Sequence, residues 1–273
     1  MKDRAYVIVV SWPAGPDEEA RVRSVERGVG CDAYTAGLVA RRRLPCIAAR
    51  VEPAADAVGI VQRLLDEGIG ALSLTWEQIA AGLEPPLLRS LAWAEGAPEA
   101  MYFANRIDGG AVGLRAADVR LLVRAKVRIS RREAAPNSNL GEFARTPMDP
   151  ILGAPIPSDP TRARVLMKTV EVLDLHLLDG SQLRCDGSRF SFLATGEKLG
   201  ISDMENMDKL AMKLAGEAPR AVVDTGFGEA RFLSEYVADF MSVRGSLQGG
   251  DSRGMVALSI YSRIMAGVRA WTG

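Results

Sequence analysis

Apolar and polar positions follow different rhythms along this chain. Tyr6 to Val10 is an unbroken apolar run rich in β-branched residues, the pattern of a strand covered on both faces. Gly15-Pro16 then opens a helix with Asp17, Glu18 and Glu19 in its first turn, where acidic groups suit the positive end of the helix dipole. Val22 and Val25 face inward, and Gly28 ends the helix. Asp32 is placed to cap a second helix with Leu38 and Val39 near its end. Leu44 to Val51 predicts a second strand. Pro53 starts a third helix with Val58, Val61, Leu64 and Leu65 at helical spacing. Gly68 and Gly70 stop it, and Ala71 to Thr75 predicts a third strand. The order is β-α-α-β-α-β, a small domain over residues 1–82.

Residues 77–98 read as helical or irregular, broken by Pro85-Pro86, with a linker over 83–98. From Met101 strand texture dominates. Met101 to Ala104 and Ala111 to Leu114 flank a turn at Asp108-Gly109-Gly110. The clearest strand follows. Val119, Leu121, Val123, Ala125, Val127 and Ile129 alternate with Arg120, Leu122, Arg124, Lys126, Arg128 and Ser130, giving one apolar and one mostly cationic face. Residues 133–161 carry six prolines and read as a long mobile loop. Val165 to Leu178 resumes strand texture. Asp179-Gly180-Ser181 is a hairpin turn into Gln182 to Cys185. Ser202 with Glu205 forms a capping box ahead of Met204, Met207, Leu210, Ala211 and Leu214. Two helices close the chain, Phe232 to Met241 and Met255 to Trp271. The second carries Ala257, Ile260, Tyr261, Ile264, Met265 and Val268 on one stripe. The fold class is α+β: the small domain, a β-rich domain over 99–235, and a helical tail over 236–273.

The segments VIVVSW, RVRSVERGVGCDAYTAGLV and EPAADAVGIVQRLLDEGIGALSL resemble the C-terminal domain of the ribosomal stalk protein of the large subunit. The resemblance covers the first quarter of the chain and implies a fold. That family docks translation factors through a lysine-rich two-helix face. Here the matching stretch carries Asp17, Glu18 and Glu19 and then Arg41-Arg42-Arg43, so the docking function is not carried over. The later strands followed by one helix are similar in layout to bacterial pleckstrin-homology-like domains.

Composition narrows the function classes. Apolar residues make up 48% and charged residues 25% of 273, so a sizeable core is expected. Lys+Arg and Asp+Glu balance at 34 each, which argues against a protein that coats nucleic acid. The cysteines, Cys31, Cys46 and Cys185, are odd in number and far apart, and His176 stands alone. They read as free thiols in a reducing compartment, and a cytoplasmic location follows. The apolar start is too short for export or for a membrane span, so a soluble protein is expected.

Residues 221–233, AVVDTGFGEARFL, look like the glycine loop of S-adenosylmethionine-dependent methyltransferases. Too little chain follows to complete that fold, and a plain turn between strand and helix is the better reading. His176 shares a strand face with Asp174, a pair suited to general base work, while the ordinary reading is a surface strand histidine. No nucleophile motif, metal-ligand cluster or cofactor fingerprint accompanies them, so catalytic, cofactor-binding and metal residues are assigned as none. Trp12, Trp76, Trp93 and Trp271 do not interleave with basic residues, and Arg41-Arg42-Arg43 is explained by a helix C-terminus.

The cationic strand face is the readable patch. Arg120, Arg124, Lys126 and Arg128, with Arg131 and Arg132 beyond, would form a row, because residues two apart on a strand share a face. The expectation is a non-enzymatic binding or scaffold protein that contacts an acidic protein or anionic ligand through Arg120, Arg124, Lys126 and Arg128. The alternative is an enzyme with its site at the domain junction, His176 and Asp174 being its first candidates. A third reading, an RNA-linked factor, is opposed by the neutral charge.

Overall fold

The computed structural model describes residues 3–94, 101–133, 164–195, 198–241 and 252–272. Its first sheet has three antiparallel strands, with β1 (Ala5–Ser11) between β2 (Cys46–Val51) and β3 (Gly70–Thr75). The helices α1 (Glu18–Val25), α2 (Ala33–Ala40) and α3 (Asp56–Asp66) connect them in the order the pattern predicts. Asp17 and Asp32 cap the first two helices, accepting from the backbone N–H groups of Ala20 (2.8 Å) and Thr35 (3.0 Å). Where a stop at Gly28 is expected, the helix continues as a π turn over Glu26–Gly30. Gly28 is needed there for close approach, since a Cβ would lie 2.6 Å from the Leu64 side chain of α3.

The run in β1 is buried because both faces of its sheet are covered. Ala5, Val7 and Val9 pack with α1 to α3. Tyr6 and Ile8 point the other way, into a core shared with the rest of the chain.

A correction to the sequence reading begins at residue 83. After α4 (Trp76–Ala80), which Thr75 and Gln78 cap reciprocally, the stretch expected as a linker contains β4 (Leu87–Trp93). This strand pairs antiparallel with β5 (Met101–Arg106) and parallel with β9 (Gln182–Asp186). Its period is hidden by a bulge between Leu88 and Ser90, which turns Leu88 and Leu91 into the same core although they are three residues apart. β6 (Ala111–Arg115), β7 (Val119–Glu133), β8 (Arg164–Leu177) and β10 (Val222–Asp224) complete a seven-stranded sheet in the order β10-β7-β8-β9-β4-β5-β6. β7 and β8 pair along their whole length, from Val119 with Leu177 to Glu133 with Arg164. The proline-rich loop that would join them lies outside the described residues.

The large sheet is also covered on both faces. Leu122, Leu173, Leu175 and Leu183 pack against Met207, Leu210 and Leu214 of α5 (Asp203–Glu217). Leu121, Val123, Val170 and Val172 face α6 (Ser234–Met241) and α7 (Ser252–Thr272). The helices read as a tail therefore form an interior layer between the two sheets. Phe240 of α6 stacks on Trp76 at 6.0 Å between ring centroids and lies 5.5 Å from Tyr6. Aromatic pairs of this kind contribute about 1 kcal/mol each beyond their buried area. Among the described residues no helix is long and apolar enough to cross a membrane.

Candidate functional site

Of the four cations expected in one row, Arg124, Lys126 and Arg128 keep alternate positions on β7 and Arg120 leaves it. A bulge between Val119 and Leu121 removes Arg120 from the alternation. Arg120 instead lines a cavity with Arg263 and Gly180, at the junction of the small sheet with α7. Arg124 is committed inside the protein. Its guanidinium pairs with Asp208 of α5 and donates to Glu171 on β8 at 3.4 Å, tying the helix to the sheet. Lys126 lies opposite Glu171 in the β7–β8 register, 3.6 Å from its carboxylate, with its ammonium 3.0 Å from the Met204 sulfur. Arg128 has no ion pair among the described residues. The side chains of Arg131 and Arg132 lie outside the described residues.

Lys126 and Arg128 border a cleft of about 670 Å³. β10 covers β7 only at Leu121, Leu122 and Val123, and the cleft opens beyond that point. Its walls come from Phe227 after β10, Val237 and Met241 of α6, and Ala257 of α7. Arg253, near the start of α7, brings a third cation to the same cleft. Like Arg128, it has no ion pair among the described residues. The wall is mainly apolar, so a charge at its border has little competing polar surface inside. Arg253 carried no signal in the sequence. Only the packing of the first turn of α7 against β7, where a Cβ on Gly254 would lie 2.7 Å from the Arg128 carbonyl oxygen, brings it there.

The glycine loop at 224–228 is filled from within. The Tyr261 hydroxyl donates to Asp224 at 2.8 Å, and the Gly226 N–H donates to the same carboxylate at 3.2 Å. A Cβ on Gly226 would lie 2.5 Å from the Tyr261 oxygen, and Phe227 rests edge-on against that ring. The loop packs on α7 and leads into short 3-10 turns.

His176 is not on the surface. It is 1% exposed, facing α7, with Nε2 2.7 Å from the Ser262 Oγ. Asp174 shares its face but does not touch it. The Asp174 carboxylate accepts from Arg184 at 2.5 and 2.7 Å and from Gln182 at 2.9 Å, and Arg184 also donates to Ser259 at 3.2 Å. Burial pushes the imidazole from its ordinary 6.5 down to about 4, against the pull of Asp174, so it is neutral at pH 7. Its Nδ1 has no partner among the described residues, and the pair does not border the cleft. The contact of His176 with Ser262 joins β8 to α7.

The three cysteines are unpaired. Burial raises the Cys46 thiol to about 12, which removes its nucleophilicity at pH 7. Among the described residues no group of His, Cys, Asp or Glu is placed to hold a metal ion. No family model, no curated protein and no solved structure matches this chain.

Proposed function

We propose that this chain is a non-enzymatic binding protein that takes an anionic amphiphile, a carboxylate or phosphate head on an apolar body, into the cleft between β7, α6 and α7. The observation that carries the reading is the convergence of Lys126, Arg128 and Arg253 on one apolar-walled cleft. Two of these cations lack a counter-charge among the described residues. A cavity of about 670 Å³ suits a ligand of drug-like size. The head would rest between the basic side chains while the body lies along Phe227, Val237 and Ala257. This narrows the cationic-strand reading to Lys126 and Arg128, joined by Arg253.

Calorimetric titration with dodecanoate, and with dodecanol as the uncharged control, tests the assignment. Dodecanoate binding that weakens about tenfold in Arg128→Gln/Arg253→Gln supports it. That factor is about 1.4 kcal/mol, or about 0.7 kcal/mol for each of the two arginines removed. Equal binding of the two probes, or undiminished dodecanoate binding by the folded double variant, overturns it.

A further inference from the structure

We infer that the junction between the small sheet, α4 and α7 is a second ligand site, in which Arg120 and Arg263 grip the oxyanion of a small aromatic acid. The site is a cavity of about 600 Å³, separate from the β7–α6–α7 cleft. Leu72 and Leu74 of β3 line it together with Trp271, near the end of α7.

Two local features bring the arginines together. The β7 bulge turns Arg120 out of the strand alternation. Gly82, just after α4, leaves the space through which Arg263 passes, since a Cβ there would run into the Arg263 stem. Arg263 donates to the Gly180 carbonyl at 3.3 Å. Its Nε and that of Arg120 are buried without a partner among the described residues.

No carboxylate among the described residues neutralises the pair. Asp174 attracts Arg263 but is already bound by Arg184 and Gln182. Asp179 feels the charge of Arg120, yet its carboxylate is held by the Ser181 N–H at 2.8 Å. Burial lowers the pKa of Arg263, and Arg120 lowers it further. Two like charges with unmet donors, held beside an open cavity, form a site whose missing element is an anion. A planar oxyanion matches the guanidinium forks, and the wall of Leu72, Leu74 and Trp271 suits a flat apolar body.

The test is calorimetric titration of the full chain with 2-naphthoate, with 2-naphthylmethanol as the uncharged control. Arg120→Gln and Arg263→Gln are each expected to weaken 2-naphthoate at least tenfold. Arg263→Lys, which retains the stem and the charge but not the fork, is expected to weaken it too. Arg128→Gln should leave it unchanged. In the wild type, tryptophan fluorescence should change on binding, and Trp271→Phe should lose that change. Absence of binding, binding that survives both Gln variants with native circular dichroism, or loss of binding in Arg128→Gln overturns the assignment.

Discussion

Lowering the pH from 7 to 5 should destabilise this protein through one residue, His176. The imidazole is buried between β8 and α7, and burial holds its pKa near 4, below the ordinary 6.5 that it regains on unfolding. The unfolded chain therefore binds the proton more tightly than the folded one. The associated stability is complete above about pH 6.5 and is lost progressively as the pH falls toward 4. At pH 5 protonation favours the unfolded chain by roughly 30-fold, about 2 kcal/mol, against almost nothing at pH 7. Urea unfolding at pH 7, 6 and 5, on the wild type and on His176→Gln, isolates the effect. The glutamine amide can meet Ser262 and does not titrate. The wild type should lose about 2 kcal/mol more than the variant over this interval, because the carboxylates common to both chains titrate mostly lower. Parallel pH profiles for the two proteins would refute the burial argument.

Two further outcomes follow from the same interior. Asp174→Ala should cost about 3–5 kcal/mol in chemical denaturation, because it strands the Arg184 guanidinium at 2% exposure, and Asp174→Leu/Arg184→Met should recover much of that loss. Gly254→Ala should lower the melting temperature by an amount equivalent to roughly 1–3 kcal/mol, because its Cβ meets the Arg128 carbonyl oxygen at 2.7 Å and backbone yields less readily than a side chain.

The residues that were legible in the sequence are those whose neighbours are set by simple periodicity. β1 is recognisable because five consecutive buried positions need an apolar run. The second helix is recognisable because Asp32 caps it in the ordinary way, while Asp17, read as a first-turn residue of the helix before it, is that helix's cap. Bulges defeat that kind of reading. One hid β4 by placing Leu88 and Leu91 on the same side. Another broke the cationic row by sending Arg120 to a different cavity. The register of β7 with β8 also placed Glu171 beside Arg124 and Lys126, a neutralisation that alternation along one strand cannot reveal. The burial of His176 was hidden for a further reason. In Leu173 to Leu177 polar residues alternate with leucines, the signature of a half-exposed strand. The polar face instead meets Ser259 and Ser262, some 80 residues away.

Burial on α7 extends beyond the single stripe expected from the sequence, since Val256, Leu258 and Ala266 are buried as well. The helix is enclosed by β3, α4, α6 and β7, so apolar residues are needed on several sides. Ser259 and Ser262 occupy the side that faces the polar interior of the large sheet. An apolar helix in an apolar groove can slide by a turn, about 5.4 Å, with little change in buried area. The contacts of Ser262 with His176 and of Ser259 with Arg184 give up their partners in such a slide, so they select one register. Register matters at both ends of the helix. Arg253 reaches the cleft beside β7, and Arg263 and Trp271 reach the junction cavity. Arg253 and Arg263 are ten residues apart, about 15 Å along the axis. The buried polar contacts near the middle of α7 therefore act less as a source of stability than as the device that fixes both candidate sites in place.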